Sequence, residues 1–182
     1  ILIFSLEILI HPADYEFNFN YFKFFVLFLI SIIMIPVQSI LEELIFRGYL
    51  MQGFTVFFKN RIMPLFATSI IFGLLHILNP EIEKIGYGLL IYYIGTGIFF
   101  GIVTLMDEGV ELSSGFHASN NLVASLLVTA DWTAFETYSI FKFIGNPSFS
   151  KEVLLYVFII YPLIIFFLSK KYKWASWKTK IL

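Results

Sequence analysis

Five stretches of the chain are apolar enough to lie in lipid, and short polar segments separate them. Residues 1–10 are apolar but too short to span, and residues 11–21 read as a polar, aromatic loop. Residues 22–51 read as one long helix. Its part from Phe24 to Leu41 carries no charge, and Pro36 is expected to kink it. Residues 53–61 read as a loop ending in Lys59 and Arg61. Residues 62–78, 87–106, 112–130 and 153–169 read as further spans, the last interrupted by Pro162. Between them lie a turn at 79–86, an acidic turn at 107–111 and an aromatic, interfacial loop at 131–150. A basic, aromatic tail follows from Lys170. Gly97 and Gly101 make a GxxxG pair on one span, which predicts close helix packing. The expected fold is all-α: a polytopic transmembrane helical bundle of about five to six spans, forming a single membrane-embedded domain over residues 1–182. The chain begins at Ile1 without a methionine, so its N-terminal helix is expected to be truncated.

The apolar pattern breaks in one place. Between Pro36 and Met51 the long helix carries Glu42, Glu43 and Arg47. Each charge near a helix centre costs roughly 2.5–3.5 kcal/mol on insertion scales. Three unrelieved charges would cost roughly 7–10 kcal/mol by addition. Such groups persist when they pair, face water or do chemistry. Glu43 and Arg47 are i and i+4, acid first, which is the favourable order for a helix pair. Glu42 points about 100° away from Glu43 and is left without a partner from that spacing. An acid left over in an apolar setting is a candidate general base.

Composition supports a membrane class and removes several others. The 182 residues are 59% hydrophobic and 20% aromatic, above the roughly 45–50% apolar content of soluble domains. The net charge is −1 with no basic stripe, so nucleic acid is not an expected partner. There is no cysteine, which excludes disulfides, thiolate catalysis and cysteine-ligated zinc. Alternation of spans puts Lys59, Arg61, Lys170, Lys171, Lys173, Lys178 and Lys180 on one side, against Lys23, Lys84, Lys142 and Lys151 on the other. The first side, with the C-terminal tail, is expected to be cytoplasmic.

The polar groups inside the spans are few: Gln38, Glu42, Glu43 and Arg47, then His76, then His117, Asn120 and Asn121. His117 and Asn121 share a helix face, as do Phe72 and His76. Converging on one bundle core, these side chains suit two chemistries. A carboxylate and a histidine can take a proton from water while a second histidine and an amide bind an oxyanion. Alternatively Glu42, His76 and His117 can be three ligands of a divalent metal such as zinc, with water in the fourth position. No HExxH spacing favours the metal.

Three motifs stand in order on separate apolar segments: Glu42-Glu43-Leu-Ile-Phe-Arg47, Phe72-Gly-Leu-Leu-His76 and His117-Ala-Ser-Asn-Asn121. They fit Glu-Glu-x-x-x-Arg, Phe-x-x-x-His and His-x-x-x-Asn. The set resembles the CAAX protease and bacteriocin-processing family of intramembrane proteases, which includes the type II CAAX prenyl endopeptidases. The likeness covers about residues 36–130. It implies an endopeptidase in which Glu42 activates water together with His76. Glu43 and Arg47 would support the site, and His117 and Asn121 would bind the oxyanion. It implies membrane lipid as surroundings and a membrane-associated peptide or protein, prenylated in some members, as substrate. Both a metal-dependent and a metal-independent glutamate mechanism are open within it. The competing expectation is a non-catalytic membrane protein whose Glu, His and Arg groups form a proton relay or a scaffold. Nothing in the sequence fixes the oligomeric state.

Overall fold

A computed structural model describes residues 7–149 and 152–181. The expected truncated N-terminal helix falls mostly on residues 1–6, outside the described residues, as does Lys151. Residues 7–10 are helical.

The chain is an all-α helical bundle. The first long helix, α1, runs Tyr21–Phe58. Asn20 caps its start by accepting the Lys23 N–H at 3.1 Å. It is α-helical over Tyr21–Glu43, π-helical over Leu44–Leu50 and α-helical again over Met51–Phe58. This corrects the expected loop at 53–61. Gly53 lowers helix propensity by only about 1 kcal/mol, too little to stop a helix in an apolar run. The helix ends at Lys59 instead, in a left-handed conformation with φ 54°.

Helix α2 covers Ile62–Leu74, shorter than the expected 62–78. Asn79 precedes Pro80, which pushes it into an extended conformation with ψ 141°. Residues 75–78 form turns, so His76 lies beyond the helix rather than inside a span. A short helix α3, Pro80–Ile85, leads to α4, Leu90–Asp107, and then to α5, Glu111–Leu127. Helix α6 covers Val153–Lys171, with a π-helical turn at Tyr156–Ile160 just before Pro162. Proline has no N–H to continue the regular ladder, and the wider turn accommodates it. The last helix, α7, is Trp177–Ile181.

Three helical stretches of the described residues are long and apolar enough to cross a membrane: Tyr21–Phe58, Tyr87–Asp107 and Val153–Lys171. Helix α2 is shorter but apolar. Helix α5 is the polar member, with Ser113, Ser114, His117 and Ser125 buried along it. Large apolar side chains on α1 and α6, such as Ile33, Leu41, Phe158 and Phe167, are exposed, the surface that a lipid environment covers.

Helix α1 packs chiefly on α5, and α2 on α4. The GxxxG expectation describes the second contact. A Cβ on Gly97 would stand 3.0 Å from the Ser69 Cα, and one on Gly101 would run into the Leu65 side chain. The remaining core joins Phe99, Phe100, Val103 and Met106 of α4 to Leu168 and Trp174.

Each end of the bundle is tied together. At one end Arg61 donates to the Lys180 carbonyl (3.2 Å), Lys180 to the Met106 carbonyl (3.1 Å), and Trp174 to Asp107 (3.1 Å). At the other, three short strands form a sheet in the order β1-β3-β2. These are β1, Tyr15–Phe17, β2, Val128–Thr129, and β3, Phe141–Phe143. Strands β1 and β3 are antiparallel, with Tyr15 opposite Phe143, while β2 and β3 are parallel. The segments expected as plain loops at 11–21 and 131–150 therefore pair with each other.

Candidate active site

The site begins where α1 changes register. Glu43 closes the α-helical part, and Arg47 sits inside the π-helical segment. The wider π turn still lets Arg47 Nη1 reach Glu43 Oε1 at 2.9 Å, the pairing that the i,i+4 spacing predicts. Both side chains have no solvent exposure. Arg47 spends its second terminal nitrogen on the Gly97 carbonyl of α4 at 3.1 Å. The guanidinium also lies 4.6 Å from the Phe72 ring centre and 5.5 Å from that of Phe100.

His117 arrives from α5. Its Nδ1 lies 3.0 Å from Glu43 Oε1, and a carboxylate only accepts, so Nδ1 carries the proton. Its Nε2 faces Glu42 Oε2 across 3.7 Å, longer than a direct hydrogen bond. The ring stacks on Phe100 at 5.0 Å and meets the edge of Phe72 at 5.9 Å. Glu42 is the accessible member of the pair, with 29% of its side chain exposed. Gln38, one turn earlier, donates to Glu42 Oε1 at 3.1 Å.

Asn121 sits one turn beyond His117, and its amide makes a long 3.5 Å contact with the Ser39 hydroxyl of α1. His76 approaches through aromatic neighbours. Its Nδ1 donates to the Phe72 carbonyl at 2.8 Å, and its ring lies 5.0 Å from the Phe72 ring that also touches His117. Thus Glu42, Glu43, Arg47 and His117 form one hydrogen-bonded and ionic group. His76 joins it through the Phe72 ring. Asn120 is exposed.

Three buried polar atoms have no protein hydrogen-bond partner among the described residues: Glu43 Oε2, Arg47 Nε and Ser114 Oγ. Two belong to the site and the third is one turn from His117, whereas folded interiors leave few such groups. Among the described residues no three His, Asp or Glu side chains are grouped so as to hold a metal ion. The trio Glu42, His76 and His117 is not such a group in this arrangement.

Several contributors were not singled out by spacing. The Gln38–Glu42 contact has an i,i+4 signal and was readable. The Gly97 carbonyl and the Phe72 and Phe100 walls depend on which helices face each other, and no local pattern encodes that.

The family model for Rce1-like proteins, described as type II CAAX prenyl endopeptidase Rce1-like, matches residues 22–123. That range is more than half of the chain and holds all three motifs, so the chain belongs to the Rce1-like family of CAAX-type proteases. With its apolar helices, membership makes it an integral membrane protein. It is 32% identical over 176 residues to a Bacillus subtilis (strain 168) protein described as uncharacterized protein YyaK. The alignment covers 92% of this chain and 57% of that relative, so the chain spans little more than half the relative's length. No solved structure matches the chain.

Proposed function

We propose that the protein is an intramembrane endopeptidase that hydrolyses a peptide bond of a membrane-associated or prenylated peptide, with Glu42 as the base. The observation that carries this reading is the asymmetry of the two glutamates. Glu43 is sealed and committed to Arg47 and His117, whereas Glu42 is partly exposed and faces His117 Nε2 across 3.7 Å.

Glu42 takes a proton from a water placed beside it, and the water oxygen bonds to the scissile carbonyl carbon. The Asn121 amide, and His117 Nε2 once the ring is an imidazolium that donates from both nitrogens, stand on the α5 side to stabilise the oxyanion. His76, whose Nε2 is left free by the Phe72 carbonyl, shares the proton traffic with Glu42. The C–N bond breaks as Glu42 returns its proton to the leaving amine, giving a new carboxylate and a new amine. Glu43 and Arg47 hold His117 and the π-helical segment in place. The C-terminal tail lies on the cytoplasmic side in this reading, from the balance of loop lysines and arginines.

The test is cleavage of a library of fluorogenic membrane peptides, prenylated and plain, by the full-length protein in lipid vesicles. Glu42→Gln should lower kcat by at least about 100-fold, the lower range for a general base. Cleavage should survive a chelator. Cleavage that persists in Glu42→Gln removes Glu42 from the chemistry. Cleavage lost to chelator in the wild type overturns the metal-free mechanism.

A further inference from the structure

Outside the motifs, one buried acid has more partners than its place in the sequence suggests. Glu81 lies in the first turn of α3, in a stretch expected only as a turn between spans, and it is 8% exposed. Three donors from three segments converge on its carboxylate. The Tyr93 hydroxyl of α4 donates to Oε1 at 2.6 Å, the Asn79 amide to the same oxygen at 3.0 Å, and the Ala134 N–H to Oε2 at 2.9 Å.

A carboxylate with these donors has no need of a cation. Burial works to raise the carboxyl's pKa. The hydrogen bonds from Tyr93, its own backbone, Asn79 and Ala134 outweigh burial, and Glu81 stays below the ordinary carboxylate range. It is therefore a fixed negative acceptor at neutral pH.

Its grip on Tyr93 reaches further. The Tyr93 ring lies face to face with the imidazole of His76, with centroids 4.1 Å apart and planes 19° apart. The hydroxyl is held at one end, so the ring cannot swing away without losing a charge-assisted hydrogen bond. His76 lies on a turn beyond the end of α2, so no regular backbone ladder fixes its ring. Three contacts set its orientation instead: the Phe72 carbonyl at Nδ1, the Phe72 ring, and the Tyr93 face, which is the closest of the rings. Because a carbonyl only accepts, this orientation puts the proton of neutral His76 on Nδ1 and the lone pair on Nε2. A capping acid would account for Glu81 and the 130s loop, but not for the stack that its Tyr93 bond maintains.

We infer that Glu81 and Tyr93 are positioning residues for His76: Glu81 anchors the Tyr93 hydroxyl, and the Tyr93 ring holds the imidazole so that Nε2 stays free to accept a proton. The inference rests on the reading of His76 as a participant in the hydrolysis proposed above. Because Glu81 also holds Ala134, the same carboxylate registers the loop after β2 against the histidine. Order in that loop and order in the His76 ring are therefore coupled.

Two readouts test it on the full-length protein in detergent. The first is the 15N spectrum of ring-labelled histidines at alkaline pH, where imidazole is neutral. The chain has three histidines, so His76→Gln assigns the signal. Wild type should show one tautomer, Nδ1–H. Tyr93→Leu should show a mixture of tautomers. Tyr93→Phe, which keeps the ring but loses its anchor, and Glu81→Gln, which keeps an acceptor but loses the charge, should lie between. The second readout is kinetics on a substrate that the wild type cleaves. Tyr93→Leu should lower kcat about 100-fold, the scale expected for a misplaced catalytic group, with KM within about twofold. Tyr93→Phe should recover part of that loss. A wild-type tautomer signature retained in Tyr93→Leu overturns the inference, as does a KM effect with unchanged kcat. If Tyr93→Leu does not fold, the Tyr93→Phe and Glu81→Gln spectra decide alone, and wild-type spectra in both overturn the inference. A wild type that cleaves nothing, but whose tautomer responds to these substitutions, counts against the protease reading and leaves the positioning pair standing.

Discussion

Replacing Arg47 by methionine removes the guanidinium that neutralises Glu43 while keeping much of its apolar stem. Both side chains are fully buried, and their 2.9 Å bond has no solvent to replace it. Breaking a buried pair by removing one partner costs about 3–5 kcal/mol, because the remaining charge is stranded. The lost bond to the Gly97 carbonyl adds about 1 kcal/mol. Arg47→Met should therefore destabilise the protein by about 4–6 kcal/mol. The double variant Glu43→Leu with Arg47→Met strands no charge. Replacing a whole buried pair by apolar groups is often neutral. Here it leaves the Gly97 carbonyl and His117 Nδ1 each short of a partner, for a net cost of about 1–3 kcal/mol. The assay is reversible unfolding in mixed micelles by a denaturing detergent, followed by helicity, for wild type, both single variants and the double. The double should be more stable than Arg47→Met alone. Single-variant costs that simply add, or an Arg47→Met cost below about 1 kcal/mol, would show that the pair is not buried as described.

Two further outcomes follow from packing and from the buried acid. Gly97→Ala sets a methyl 3.0 Å from the Ser69 Cα, so α2 and α4 must part. It should cost about 1–3 kcal/mol in the same unfolding assay, with activity falling as well because the Arg47 anchor on α4 moves. Glu81 gives a pH signature. Its folded pKa is lowered from the usual value of 4.5, so its stabilising contribution is fully present above that value. It is lost as the pH falls through the lowered folded value. Wild type should lose stability between neutral pH and the acid range more steeply than Glu81→Gln, and equal slopes in denaturation midpoints would contradict the hydrogen-bonded carboxylate.

What the sequence made legible, and what it did not, divides along the range of the interaction. The Glu43–Arg47 pair was readable because both partners ride one helix, and i,i+4 geometry survives even the π-helical segment between them. The GxxxG contact was readable for the same reason: two glycines on one face leave a surface that another backbone can approach. Helix ends were less readable, since Gly53 looks like a stop and costs too little to be one, whereas the Asn79–Pro80 step shortens α2 and releases His76 from it. Partners across helices were not readable at all. Spacing grouped His117 with Asn121, but the fold gives His117 first to Glu43 and then to Glu42. Spacing also left Glu81 in a turn with no role assigned, because its three donors come from Asn79, Tyr93 and Ala134, and only the folded chain brings these together. A motif names side chains that recur at fixed local distances. The residues that aim those side chains are set by the packing of α2 on α4 and of α1 on α5. In this chain Gln38, Gly97, Glu81 and Tyr93 therefore orient or hold the motif residues from neighbouring turns and helices.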